Sequence, residues 1–476
     1  VKDLFSSIYL ISRMASAVLN LVAIAVFTRL SSQEVYGQYL IGFAYGFIVY
    51  SLAIQWLLSA HFGQQSRHHA ERIATTVVML AIISVSIGVI LIGLTVACNV
   101  LSLSNGFGCA VVLIGLAVYF VASEIGRSQL RVVPVTMAAF LRSGLTLVLG
   151  SLALWKFHSA TSLLLAVSSA HVLAALPIII VLRRSIWAVG FEWPSRESYW
   201  QIWSYSWPLI LAGGAAAVAA SIDRIVLEYF FGSAKMASYG VILDFIKQSF
   251  IIVGESVAIS YVSVAKAKHG DGDEEKSREM LTMAFVTTAF LAAFGVIFFL
   301  LLGEPLFGIL LGKGYLGATA IIPWLAVANA CLILRAYYFA QVIYFSKSAR
   351  LELISTLVGL GISFSLCLWL VPIFDVNGAA IAFTMAQVGA LLCILLARST
   401  RQNMPVDFPR LWIIVTSAGA TLITGLFVRL MLPAELANLF NIALIAVVAG
   451  TLLVRWDMFD AGVIWRRLYQ QARLAK

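Results

Sequence analysis

Charged side chains are scarce: Asp, Glu, Lys and Arg together make up 11% of the 476 residues, where a soluble domain carries roughly a quarter. So little charge cannot build a water-facing surface for a chain of this length, whereas a lipid-facing surface needs almost none. A soluble globular enzyme is therefore excluded. Acids are scarcer than bases, 22 against 32, which leaves a net charge of +10. No polar stretch is long enough to fold into a separate domain carrying a basic nucleic-acid surface, so nucleic acid is not an expected partner. The five cysteines, at positions 98, 109, 331, 367 and 393, are scattered without any metal or disulfide spacing and are expected only to pack. No metal or cofactor is expected.

Two further features are missing. No segment shows the ten-residue alternation of an outer-membrane strand. The first apolar segment has no small-residue cleavage site, so it is expected to be a retained helix and not a signal peptide.

What is present is apolar length, with 61% of residues hydrophobic. Runs of about 20 residues, enough to cross roughly 30 Å of hydrocarbon, can be placed about fourteen times, from 6–28 through 201–222, 351–373 and 378–397 to 436–454. Sorting Lys and Arg by connection puts 22 on one side and six on the other, with four inside the spans. The positive-inside rule then places both termini of this multi-pass membrane protein in the cytoplasm. Connections are short, and the longest external one, around 303–317, has no His and only Glu304 as an acid. A membrane polymerase or ligase with an external catalytic loop is accordingly disfavoured, and no enzymatic activity is expected. The tail 456–476 interleaves Trp456, Phe459, Val463 and Trp465 with Arg466 and Arg467, as in a basic amphipathic helix on the cytoplasmic leaflet. Its plainer reading is a topology signal.

The turn Arg29-Leu-Ser-Ser-Gln-Glu-Val-Tyr-Gly-Gln-Tyr39 has a relative 200 residues on, Phe231-Gly-Ser-Ala-Lys-Met-Ala-Ser-Tyr239. An even number of spans lies between them, so the repeat is parallel, with its axis along the membrane normal.

Charges within spans are costly unless they face protein or water, and each is a candidate functional group. In the first span Ser6, Tyr9, Arg13, Ser16 and Asn20 form one polar stripe. Arg142 lies midway along the fifth span on a face with Arg131, Val135, Ala138 and Thr146, and Arg335 has Tyr338 and Gln341 beside it. Asp244 and Glu255 share a face of the eighth span, where Lys247 sits one turn from Asp244 as a local ion pair or a cavity cation. His171 follows Ser168 and Ser169 in the sixth span, as a hydrogen-bonded packing residue or a proton carrier. Arg13, Arg142 and Arg335 have no acid one turn away on their own helices. They either line a shared hydrated cavity or pair across helices with Asp244, Glu255 or Asp223 as structural locks. An arginine fork matches phosphate bidentately, so the cavity reading points to a phosphate or pyrophosphate ligand. A carrier of cationic drugs would want a carboxylate at these depths, and the first span has none.

The residues Phe27-Thr-Arg-Leu-Ser-Ser-Gln-Glu-Val-Tyr-Gly-Gln-Tyr39, Asp223-Arg-Ile-Val-Leu, the Gly232–Tyr239 turn, Leu311-Gly-Lys-Gly-Tyr-Leu-Gly-Ala318 and Val371-Pro-Ile-Phe-Asp-Val-Asn-Gly-Ala-Ala-Ile-Ala382 carry a resemblance. With them the chain resembles the polysaccharide transporter branch of the multidrug/oligosaccharidyl-lipid/polysaccharide (MOP) exporters, the Wzx-type lipid-linked oligosaccharide flippases. The resemblance implies an all-α polytopic membrane protein of about fourteen transmembrane helices, with two six-helix lobes related by a parallel pseudo-two-fold, around a central cationic cavity, and two further helices. The corresponding division is 1–198 for the N-lobe, 199–400 for the C-lobe, 401–455 for the last two helices and 456–476 for the tail. It also implies movement of undecaprenyl-pyrophosphate-linked oligosaccharide units to the periplasmic leaflet by alternating access, for O-antigen, capsule or exopolysaccharide. Expected partners are that lipid-linked oligosaccharide, membrane lipids, and the polymerase and glycosyltransferases of the pathway. The family's cavity cations would correspond to Arg13, Arg142, Lys247 and Arg335, with Asn20 and Tyr338 beside them. Asp223, Asp244, Glu255 and His171 are candidates for gating or for coupling to protons or sodium. The alternative within transport is a MOP-type exporter of another solute such as a drug.

Overall fold

Hydrocarbon offers a backbone no water, so a spanning segment must satisfy its own peptide groups, and the helix is how a single segment does so. In the computed structural model no strand occurs among the described residues, which are 2–58, 70–99, 102–129, 131–189, 200, 210, 213–346 and 350–460. Within these, the side chains of 2–13, 70–75, 132, 184–189, 346 and 460 stand outside the description. The long helices are α1 (Lys2–Leu30), α2 (Gln33–Tyr50), α3 (Ala70–Ala97), α4 (Leu103–Ser128), α5 (Val132–Phe157), α6 (Ala160–Val189), α7 (Ile222–Val257), α8 (Glu274–Leu310), α9 (Ile322–Ile333), α10 (Arg350–Leu396), α11 (Phe408–Met431) and α12 (Ala434–Arg455). Several begin where a short polar side chain caps the first turn. Ser32 Oγ accepts from Val35 N at 3.3 Å, Ser102 Oγ from Asn105 N at 3.2 Å and Asp407 Oδ1 from Arg410 N at 3.0 Å.

Eleven helices of the described residues are long and apolar enough to cross a membrane, and Met14–Leu30 of α1 adds a shorter apolar stretch. At 47 residues α10 would be roughly 70 Å long if straight, twice the hydrocarbon thickness. It breaks at Asp375 (φ 56°, ψ −132°), between the expected spans 351–373 and 378–397. α7 likewise breaks at Gly232 (φ 79°, ψ 172°), in the turn expected at 231–239. Half of the expected span 201–222, residues 201–209, 211 and 212, falls outside the described residues. The chain is thus an all-α, multi-pass membrane protein. Large apolar side chains such as Ile87, Trp155, Leu396, Trp412 and Leu430 stand exposed along its helices, as lipid contact requires.

Residues group into two compact units. Unit 1 comprises Val1–Val241, Leu311–Tyr315 and Cys367–Val376; unit 2 comprises Ile242–Leu310, Leu316–Leu366 and Asn377–Lys476. The core of unit 1 includes Ile54, Leu57, Leu113, Ala138 and Ile178, and that of unit 2 includes Leu301, Tyr338, Val342, Ile394 and Ile414. Among the described residues three single-turn π segments, Ser51–Gln55, Ala258–Val262 and Leu334–Tyr338, interrupt the α-helical register, a distortion frequent at functional sites. The last contains Arg335.

Candidate functional site

Within unit 1, α5 turns Arg142 inward. Val135 and Ala138, which precede it at helical spacing, are buried, while Met137, Phe140 and Val148 on other faces are exposed. The Arg142 guanidinium lies over the Tyr119 ring of α4, 5.3 Å from its centroid, a cation–π contact that grows stronger as water is removed. His171 of α6 meets the same ring edge-on at 5.6 Å and 87°. Its Nδ1 is 2.8 Å from the Val167 carbonyl, which can only accept. The imidazole therefore carries a proton on Nδ1, donated to that carbonyl. Buried Ser168 and Ser123 have no hydrogen-bond partner for their hydroxyls among the described residues. Arg142 has no acidic partner among them either. A mid-helix cation held over an aromatic face, without an acidic partner among the described residues, can receive an anion. Two apolar cavities of unit 1, of about 420 and 380 Å³, are not lined by Arg142.

Arg13 lies on α1, but its side chain is outside the described residues. The side chains of Ser6 and Tyr9 also lie outside the described residues; of the stripe that is described, Ser16 is buried and Asn20 half-buried, while Met14, Val18 and Val22 are exposed.

In unit 2 the C-terminal part of α7 carries Asp244, Lys247 and Glu255, all half-buried. Near Glu255 the helix approaches the Arg335 segment so closely that a Cβ on Gly254 would meet the Tyr337 ring. Arg335 is not unpartnered. Its Nη1 donates to Glu352 Oε1 at 2.8 Å, across the connection between the π segment and α10. Glu352 is an acid that inspection of same-helix neighbours does not reach, because it is 17 residues away in sequence. Tyr338 is fully buried, packed on Phe285 and Phe339, with its hydroxyl donating to the Pro405 carbonyl. It supports the Arg335 segment from within the core.

The segments that carry the family resemblance come together in unit 1. Gln33 Nε2 donates to Ser238 Oγ at 2.7 Å and to the Gly314 carbonyl at 2.5 Å, and Tyr315 OH donates to the Ser32 carbonyl at 3.2 Å. A Cβ on Gly37 would collide with the Ser233 carbonyl, and one on Gly312 with the Thr28 carbonyl, so glycine is what lets these backbones touch. Lys235 pairs with Asp375 at the break of α10 and lies over the Phe231 ring, 4.5 Å from its centroid. Asp223, nearly inaccessible, accepts from Tyr239 OH at 2.5 Å and from Arg224 N at 2.9 Å. The two repeat-related turns, 29–39 and 231–239, therefore form one hydrogen-bonded latch with 312–315 and Asp375.

No protein-family model matches the chain. Over 189 residues it is 28% identical to the capsular polysaccharide biosynthesis protein CapF of Staphylococcus aureus; that match covers 39% of this chain and 46% of the relative, so it spans less than half of the relative's length. Among solved structures, the chain is similar to the lipid II flippase MurJ in an inward closed conformation, with TM-score 0.72 at 14% identity, covering 96% of this chain and 99% of that one. It is also similar to an inward-facing MATE multidrug resistance transporter of the MOP superfamily, with TM-score 0.62 at 17% identity over 86% of this chain and 99% of that one. A third, a MOP superfamily transporter from Pyrococcus furiosus, has TM-score 0.56 at 17% identity over 82% and 93% of the two chains. At these identities the likeness is one of fold, and the chain has the all-helical fold of the MOP-superfamily transporters.

Proposed function

We propose that the protein is a flippase. It carries undecaprenyl-pyrophosphate-linked oligosaccharide units from the cytoplasmic to the periplasmic leaflet of the bacterial inner membrane by alternating access, for surface polysaccharide synthesis. The observation that carries this reading is Arg142: a cation midway along a spanning helix, turned inward and without an acidic partner among the described residues, in a fold shared with a lipid II flippase. The partial match to a capsule biosynthesis protein points the same way. Arg13, Lys247 and Arg335 are the further cations of the substrate path, with Asn20 beside Arg13, and Asp223, Asp244, Glu255 and His171 are the groups through which gating or ion coupling would act.

The physics of the task fits these parts. A glycan and its pyrophosphate cannot enter hydrocarbon, so cations in a water-filled path must replace their hydration while the polyprenyl chain stays in lipid. With the cytoplasm negative, outward movement of each anionic charge through the full field gains about 2.3 kcal/mol per 100 mV. The latch of unit 1 joins connections that the charge distribution assigns to the outer side.

The test is surface glycan in cells carrying Arg142→Ala or Arg335→Ala, with inserted protein quantified in the same cells. Loss of glycan at normal protein level is expected, while normal export by both variants would overturn the reading. The fold shared with a multidrug resistance transporter carries one alternative, export of another solute such as a drug, for which a cationic compound is the probe. Transport of such a compound by purified protein, unaffected by Arg142→Ala, would replace the flippase reading.

A further inference from the structure

The Arg335–Glu352 pair is half made. One bond joins Nη1 to Oε1 at 2.8 Å. Two further atoms of the pair, Arg335 Nε, whose N–H points to the edge away from Nη1, and Glu352 Oε2, are both buried without a hydrogen-bond partner among the described residues. A buried donor and a buried acceptor left open are each unfavourable, and a guanidinium satisfied at one nitrogen has capacity for a ligand with more oxygens than a carboxylate. The two partners also differ in freedom. The arginine side chain is 14% exposed and the glutamate 36%. Arg335 is held by its segment, with Tyr338 bonded to Pro405 on one side and Tyr337 against Gly254 on the other. Glu352 sits in the first turn of α10, where its carboxylate can swing toward water.

We propose that Glu352 is a resident counter-ion for Arg335, displaced when the anionic headgroup of the substrate arrives, so that it controls when Arg335 is open to ligand. This rests on the reading of the chain as a carrier of a pyrophosphate-linked lipid. The pair flanks the connection 346–350, which the Lys and Arg distribution assigns to the cytoplasmic side, where such a substrate is loaded. A pyrophosphate carries enough oxygens to engage the Nη1 edge and the open Nε edge of the guanidinium separately, whereas Glu352 engages Nη1 alone. Removing the carboxylate with nothing in its place would leave a buried cation uncompensated. Exchanging it for phosphate keeps the charge balanced throughout. The carboxylate thus neutralises the arginine between cycles and competes with the ligand during them, lowering apparent affinity by the fraction of time it occupies the guanidinium.

The experiment uses the full chain in lipid nanodiscs, with undecaprenyl pyrophosphate as the binding probe. Glu352→Gln is expected to tighten binding about three- to tenfold and to slow release of a fluorescent lipid-linked sugar in reconstituted vesicles. The charge swap Arg335→Glu with Glu352→Arg is expected to recover the melting temperature lost in Arg335→Glu alone, but not probe binding. Unchanged affinity in Glu352→Gln, with the unsubstituted protein binding the probe, overturns the counter-ion role, as does a swap that restores binding along with stability. If the unsubstituted protein does not bind the probe, the flippase reading itself fails, and this inference falls with it.

Discussion

Asp223 illustrates how far a single buried group can be read. Its carboxylate is nearly inaccessible and accepts from Tyr239 OH and Arg224 N. Sequence inspection marks it as a charge that needs an explanation, with an arginine lock or a coupling ion as the choices. The tyrosine partner, 16 residues away across the Gly232 break, is not visible at helical spacing. Tyr239→Phe removes a donor from this nearly inaccessible carboxylate, so unfolding in detergent, followed by tryptophan fluorescence, should show a loss of about 1–3 kcal/mol. Tyr315→Phe removes a longer bond to a carbonyl, 3.2 Å and partly buried, and should cost no more than about 1 kcal/mol. Equal losses in the two variants would mean that the Asp223–Tyr239 bond carries no special share of stability.

The break of α10 shows what an element boundary depends on. Apolar runs mark spans well because the bilayer sets their length, so the interruption between 373 and 378 is legible from composition. The conformation at the interruption is not. Asp375 holds φ at 56°, a left-handed value that a side chain adopts at a cost of about 1–3 kcal/mol, and its carboxylate pairs with Lys235. That pair is partly exposed and is worth less than about 1 kcal/mol. Asp375→Gly loses the pair but relieves the backbone, so its melting temperature should stay close to that of the unsubstituted chain. Asp375→Ala loses the pair and keeps the strain, so it should melt below Asp375→Gly, by roughly one to three degrees for a strain of about 1–3 kcal/mol in a chain of this length. If both variants melt alike, the left-handed conformation does not contribute. The π segments were illegible for a related reason: a one-residue change of register inside an apolar run alters neither its length nor its composition. Arg335 therefore reads as a plain mid-helix cation, although its segment is wound differently and its partner Glu352 stands at the edge of the next span.

At the scale of the molecule, the motifs that make the chain recognisable are joined to one another. Residues 29–39, 231–239 and 312–315 meet in unit 1, which explains why turns 200 residues apart look alike: related surfaces that face each other place similar demands on Gly, Ser and Tyr. The offset was legible, whereas the contact was not, because sequence similarity does not say that repeats touch. If the latch must open in each cycle, bridging Gln33→Cys and Ser238→Cys with a short reducible thiol crosslinker should stop glycan export, and reduction should restore it. Export that continues in the bridged protein would make the latch a fixed joint. All of this depends on which side of the membrane the latch occupies, and a native residue reports on that. Cys98 follows α3 and is exposed, whereas Cys109 and Cys367 are buried and Cys331 and Cys393 are half-buried. The excess of 22 cations over six assigns the α3–α4 connection, like the latch, to the periplasmic side. A membrane-impermeant maleimide added to cells with a permeabilised outer membrane should therefore label the protein, and Cys98→Ser should abolish that label. Labelling only after the inner membrane is opened would invert the topology, and with it the direction in which the latch closes.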